Sequence, residues 1–305
     1  MKLYGGVEAG GTKFVCAVAT SPNTEPVDTI RVDTQTPDET LRKVVEFFKR
    51  YDLRALGIAS FGPIDLRRGS PTYGYITDTP KPGWKDTNVA RLFEQEFGVP
   101  TGFDTDVNAA ALAEVGYGVA WGLSNVIYIT VGTGIGGGVV INGEALHGLV
   151  HPEMGHLPVP RHPRDSYAGH CRPHRDCLEG MASGPAIEAR WGKSPSELPS
   201  SHEAWKLEAH YLAWGICAMV YTISPQRIVC GGGVMRKRYL FPMIRERVVK
   251  TLNGYVRSEA IIKQIDTFIV EPGLRNRSGI VGALELARRA ETSERQTVLH
   301  HPKAR

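Results

Sequence analysis

Apolar positions along this chain change their period several times, and each change predicts an element. Leu3 to Val7 and Phe14 to Ala19 are β-compatible runs on either side of Ala9-Gly10-Gly11-Thr12, a strand–turn–strand hairpin. Leu41, Val44, Val45 and Phe48 recur at i, i+3, i+4 and i+7, the stripe of an amphipathic helix. Ala55 to Ala59 reads as a short buried strand ended by Phe61-Gly62-Pro63, and Val89 to Phe97 as a second amphipathic helix. Asp106 or a neighbour opens a third helix through Asn108 and Glu114. From about Asn125 the layout repeats: an apolar strand Val126 to Val131, a glycine run Gly132 to Gly138, and a strand Val139 to Ile141. Leu149 to Arg175 is rich in His, Pro and Arg and has no period, which for a loop of that length points to function or to an external tie. Glu203 to Ser224 is a long apolar helix stopped by Pro225, and Ile228 to Cys230 is a strand running into Gly231-Gly232-Gly233. The pattern predicts an α/β protein of two lobes of related plan. Residues 1–120 form the smaller, with a C-terminal helix at about 279–291 packed back on it; 121–278 form the larger; 292–305 form a polar tail.

Composition narrows the classes. Of 305 residues 42% are hydrophobic, enough for a sizeable core, and 36 Lys+Arg against 32 Asp+Glu leave a formal charge of +4. That mild, dispersed excess lacks the clustered basic stretches of a nucleic-acid binder. No apolar run approaches the ~20 residues that span a bilayer, and the N-terminal stretch has no signal-peptide core, so a cytoplasmic, membrane-free protein is expected. Among five cysteines, Cys16, Cys217 and Cys230 lie in apolar surroundings as small buried hydrophobes. Cys171 and Cys177 are close together and flanked by His170 and His174, a spacing that suits a metal better than a disulfide framework.

Three glycine-rich turns, each directly after a strand, carry the chemistry. In Glu8-Ala9-Gly10-Gly11-Thr12-Lys13 the glycines permit a tight turn and successive backbone N–H groups can form an anion nest; an ordinary hairpin would look the same. The spacing around Lys13 is not that of a Walker A loop. Gly132 to Gly138 holds five glycines in seven positions, more than a hairpin needs.

These segments together resemble the ROK family of sugar kinases. The resemblance rests on GGVEAGGTK, ASFGPID (Ala59 to Asp65), TDVNAAALAE, VGTGIGGG, PEMGH (Pro152 to His156) and CGGGV (Cys230 to Val234), in order from Gly5 to about Gly282. It implies a two-lobed actin-like ATPase (ribonuclease H-like) fold with the active site in the interlobe cleft. It implies that Gly10, Gly11, Thr12 and Lys13 form the first phosphate loop, that Gly132, Thr133 and Gly134 form the second, and that Gly231, Gly232 and Gly233 lie near the adenosine. Many members carry Asp where this chain has Glu8; those resembling fructokinases carry Glu, and its implied role is to position Mg²⁺ through water.

Phosphoryl transfer needs a group that accepts the sugar hydroxyl proton. Asp104 and Asp106 both precede a helix, where Asp is also a common N-cap; the resemblance assigns Asp106 as the base. Thr105 replaces the Asn that often precedes it, a departure shared with ROK fructokinases. By motif, Glu153, His156 and Glu179 join Asp106 at the sugar, and Pro82-Gly83-Trp84 resembles the sugar-side loop or is a solvent-facing turn. The usual family cluster of three cysteines is absent; His170 and Arg172 stand in that register. The HCxxHxxC version resembles ROK fructokinases and implies a structural zinc held by His156, Cys171, His174 and Cys177 in a loop at about 150–180, leaving His170 unused. The expected activity is MgATP-dependent phosphorylation of a hexose, fructose at its 6-hydroxyl, by a homodimer. Rival readings are a ROK kinase for glucose, mannose or N-acetylmannosamine, and a non-catalytic sugar-binding regulator. The first phosphate-loop motif begins within ten residues of Met1, so the N-terminal helix-turn-helix of ROK repressors is not expected.

Overall fold

The computed structural model describes residues 1–300, with side chains through 296. The chain divides into two compact units, one of residues 1–117, 145–151 and the segment from 276 onward, the other of residues 118–144 and 152–275.

The first unit opens with strands β1 (Leu3–Ala9), β2 (Lys13–Ala19) and β3 (Asp28–Asp33), followed by helix α1 (Pro37–Phe48) and strand β4 (Leu53–Ser60). A two-residue pair, β5 (Tyr75–Ile76) and β6 (Thr87–Asn88), leads to α2 (Ala90–Phe97), β7 (Thr101–Thr105) and α3 (Asp106–Tyr117). The five strands of its main sheet lie in the order β3-β2-β1-β4-β7; the first two pairings are antiparallel, the last two parallel. Helix α1 begins where its sequence says it should. Thr36 caps the helix by accepting from the Glu39 N–H, and Pro37 occupies the first turn, where no donor is lost. Its buried face is Leu41, Val44, Phe47 and Phe48; the stripe swings toward Phe47, and Val45 is only partly buried. Trp84 is fully buried rather than solvent-facing. It packs on Phe14 and Phe61 with centroids 5.3 and 5.6 Å away and donates to the Gln35 carbonyl at 2.8 Å.

The second unit repeats that plan. Strands β8 (Val126–Val131), β9 (Ile135–Ile141) and β10 (Glu144–Ala145) are followed by helices α4 (Leu178–Ala182), α5 (Gly184–Trp191) and α6 (Ala204–Ile223). Then come β11 (Arg227–Gly231), helices α7 (Leu240–Leu252), α8 (Glu259–Ile262) and α9 (Ile265–Phe268), and β12 (Ile269–Val270). The sheet order is β10-β9-β8-β11-β12, again with an antiparallel hairpin at its heart and parallel strands beyond it. The last helix, α10 (Ser278–His300), belongs to the first unit and packs on α3, β1 and β4. It is longer than the sequence pattern indicated. Residues 292–300, read as tail, continue the helix; residues 301–305 of that tail lie outside the described residues. Residues 145–151 also group with the first unit, an excursion that a single division at 120/121 does not contain. Among the described residues no helix is long and apolar enough to cross a membrane.

Candidate active site

The first glycine turn is the tip of the β1–β2 hairpin. The Gly10 N–H donates to the Lys13 carbonyl at 3.0 Å, and Thr34 fastens the turn from outside: its hydroxyl donates to the Gly10 carbonyl at 2.7 Å and its N–H to the Thr12 carbonyl at 3.0 Å. Gly11 stands in open space. Glu8 ends β1 beside this turn. Burial is the main cause that pushes its carboxyl up to about 7; the neighbouring Asp106 carboxylate adds to the rise and Lys13 opposes it. Part of the side chain still meets water, so the crowding is local. A Cβ on Gly279, in the first turn of α10, would sit 2.4 Å from Glu8 Oε1, so any larger residue there would make the carboxylate shift. Gly279 carries no mark in the sequence beyond its residue type, because the contact spans 271 positions of chain.

Asp106 is the first residue of α3. The cap is Thr105: its Oγ1 accepts from the Asn108 N–H at 3.1 Å, the bond an N-cap makes to the third helical residue. Capping therefore does not need Asp106, whose Oδ1 accepts from the adjacent Val107 N–H at 2.9 Å. Burial pushes the Asp106 carboxyl up to about 6 against that hydrogen bond, although the side chain is not fully closed to solvent. Asp104, two residues earlier, is a different kind of group. It is buried, and its Oδ1 accepts from the Thr105 N–H at 2.7 Å and from Asn108 Nδ2 at 2.8 Å.

In the second unit the β8–β9 turn is Gly132-Thr133-Gly134 alone, closed by Gly132 N–H to Gly134 carbonyl at 2.9 Å; Gly136 to Gly138 belong to β9. The excess of glycine has a packing cause besides any ligand. A Cβ on Gly134 would lie 2.7 Å from Glu179 Oε2, and one on Gly137 would lie 2.9 Å from the Met154 sulfur. Glu179 Oε2 accepts from the Ile135 N–H at 2.9 Å. A residue assigned by motif to the sugar thus buttresses the second glycine turn. Helix α5 starts against the same turn, its Gly184 N–H donating to the Gly132 carbonyl at 2.7 Å. The third turn follows β11, and a Cβ on Gly132 would stand 3.9 Å from the Gly233 N–H, so the two turns are neighbours. Glu153 is exposed at the head of the 3₁₀ turn Met154–His156.

That turn and the start of α4 bring four ligand-type side chains together. His156, Cys171, His174 and Cys177 present one ligand atom each, all within 4.8 Å of one another. His156 Nδ1 is 3.6 Å from the sulfurs of both Cys171 and Cys177, and Cys171 Sγ is 3.8 Å from His174 Nδ1. Ligands on a tetrahedral zinc, with bonds of ~2.3 Å to sulfur and ~2.0–2.1 Å to nitrogen, stand about 3.4–3.8 Å apart. The donor set and spacing fit such an ion. His170 is not one of the group; its N–H donates to the Gly180 carbonyl at 2.9 Å. Burial pushes the Cys177 thiol up to about 11, so a metal bound there displaces a proton.

Residues 4–290 match the ROK family. The chain is a member of the ROK family. A fructokinase from Zymomonas mobilis is 46% identical over 300 residues, covering 95% of this chain and 98% of that protein. A fructokinase from Pediococcus pentosaceus is 42% identical over 288 residues, covering 94% and 98%. The solved structure of a ROK family glucokinase from Streptomyces griseus, in complex with glucose and AMPPNP, superposes with a TM-score of 0.72 at 25% identity, over 94% of this chain and 99% of that one. The fold of this ROK protein is the actin-like α/β arrangement of its structural relatives, with a mixed sheet in each unit. Two site features escaped the motifs. One is the anchoring of Glu179 on the second turn, since a motif records residue types and not partners. The other is His147, whose Nε2 lies 2.8 Å from Asp104 Oδ2; neither residue has a periodicity or spacing that would announce the pair.

Proposed function

We propose that this ROK protein transfers the γ-phosphoryl group of ATP to a hexose, with fructose as the preferred acceptor and its 6-hydroxyl as the nucleophile. The observation that carries the reading is Asp106: a carboxylate at the start of α3, relieved of capping by Thr105 and raised to about 6. A base near the working pH combines the unprotonated form with useful proton affinity. Asp106 takes the hydroxyl proton as the sugar oxygen forms its bond to the γ-phosphorus and the bond to the ADP oxygen breaks. The N–H groups of the Gly10–Lys13 and Gly132–Gly134 turns serve the phosphates, and Gly231 to Gly233 the adenosine side. Mg²⁺, held through water by Glu8 and by ATP oxygens, would neutralise phosphate charge there. Glu153 and His156 serve the sugar. Zinc, bound by His156, Cys171, His174 and Cys177, would tie down the aperiodic loop and orient His156. Five buried thiols, none in a disulfide, suit a reducing cytoplasm.

The acceptor is supported by identity of 42–46% with fructokinases across nearly the whole chain. Purified protein with MgATP and a panel of hexoses should give fructose the highest kcat/KM. A clear win for glucose or N-acetylmannosamine leaves the kinase reading intact and removes the fructose one. The acid side of the pH profile tests the base. Asp106 acts unprotonated, and its carboxyl is raised to about 6. Activity is therefore full well above that value and lost as pH falls through it, ~tenfold per unit below. A kcat/KM for fructose that stays flat down to the ordinary carboxylate range would contradict the assignment.

A further inference from the structure

We propose that His147, oriented by the buried carboxylate of Asp104, is a sugar-recognition residue that offers its Nδ1 to one hydroxyl of the acceptor; this rests on the hexokinase-type reading above.

His147 lies in residues 145–151, the excursion that groups with the unit carrying Asp106. That segment is pinned at two places. His147 Nε2 is 2.8 Å from Asp104 Oδ2, and His151 Nε2 accepts from the Ile64 N–H at 3.2 Å. The two pins differ. His151 is buried and fastens backbone, as a packing histidine does. The His147 side chain keeps 45% of its surface, while its partner Asp104 keeps 4%. Fastening a loop does not call for a desolvated carboxylate, which costs free energy unless each oxygen finds a donor. Asp104 meets that condition. Its Oδ1 takes the Thr105 N–H and Asn108 Nδ2, and its Oδ2 is left for His147.

This arrangement sets the tautomer, because the bond made by one ring nitrogen decides what the other offers. An acceptor-only carboxylate requires Nε2–H, so Nδ1 is the free position. No other hydrogen bond engages the ring among the described residues. Nδ1 accepts when the ring is neutral and donates when it is charged, and a sugar hydroxyl satisfies either. Asp104 and Asp106 are two residues apart, at most about 7 Å along the chain. The ring is therefore tied to the short segment that also carries the proposed base. In this scheme Asp104 is a positioning residue and His147 the group that meets the substrate.

His147→Gln separates recognition from loop fastening. The Gln amide can still donate to Asp104 from near the Nε2 position, but it has nothing at Nδ1. With fructose as acceptor, the variant should raise sugar KM by about tenfold, the loss of one hydrogen bond with its partner left unpaired. The KM for ATP and kcat at saturating sugar should change little. Monodeoxy fructose analogues identify the hydroxyl. One analogue should cost the wild type about the same factor and cost His147→Gln nothing further. A variant with wild-type sugar KM, or one that weakens fructose and every analogue alike while keeping the wild-type ranking, overturns the proposal. An independent reading uses wild type with ¹⁵N-labelled histidine: the His147 Nδ1 resonance should move on saturation with fructose, and a stationary resonance also overturns it. A wild type that phosphorylates no hexose overturns the kinase reading itself, which active wild type with an indifferent His147 does not.

Discussion

Asp106→Asn should lower turnover by ~10²-fold or more while ATP still binds. The substitution is chosen to remove one property only. Asn keeps the side-chain shape and the oxygen that accepts the Val107 N–H at 2.9 Å, and the helix cap belongs to Thr105. Helix α3 should therefore begin where it does now and the melting temperature should stay close to that of the wild type. What disappears is the group that can take the hydroxyl proton. The substitution also removes a negative charge that holds the Glu8 carboxyl up, so Glu8 should ionise more readily and Mg²⁺ binding should not suffer. Near-normal turnover in a folded Asp106→Asn protein would take Asp106 out of the mechanism.

Cys177→Ser should abolish zinc binding, where the wild type should carry about one zinc per chain. Structural zinc sites contribute apparent binding free energies of ~10–16 kcal/mol in small peptides, so loss of a ligand has a large effect on the metal, although Arg161–Asp176, Arg190–Asp165 and Tyr211–Asp165 also fasten the loop. Each residue ordered in that loop costs ~1–2 kcal/mol of backbone entropy. From the sequence alone the phosphate turns lie elsewhere in the chain, and ATP binding would suffer less than sugar binding. The structure changes that expectation. Cys177 immediately precedes α4, and Glu179, two residues on, accepts the Ile135 N–H that begins β9. Loosening Cys177 should therefore weaken both substrates: sugar through His156, ATP through Glu179 and the Gly132–Gly134 turn. Elemental analysis and separate titrations with sugar and nucleotide check this. Zinc-free wild type purified without chelator would end the zinc proposal. A zinc-free Cys177→Ser protein with normal sugar KM and weakened ATP would keep the metal but uncouple it from the sugar.

The sequence by itself determined the elements whose physics is local. The hairpins at Gly10 and Gly132, the buried stripe of α1 and the apolar α6 follow from period and turn chemistry within a dozen or so neighbouring positions. The ordered motifs likewise specified the family, and Cys171, His174 and Cys177 were legible because their spacing is itself the signal, while His156 came from the family resemblance and not from spacing. Strand β7 was not legible: Thr101, Asp104 and Thr105 are buried polar residues, and their type argues for a surface until the donors that satisfy them are known. Trp84, part of a motif that looked sugar-facing, became core because Phe14 and Phe61 are there to receive it. The uses of Glu179, Gly279 and His147 were decided only by tertiary structure. Each depends on a partner 44, 271 or 43 positions away, and a hydrogen bond or a close approach is a property of two positions in space that no pattern along one stretch of chain contains.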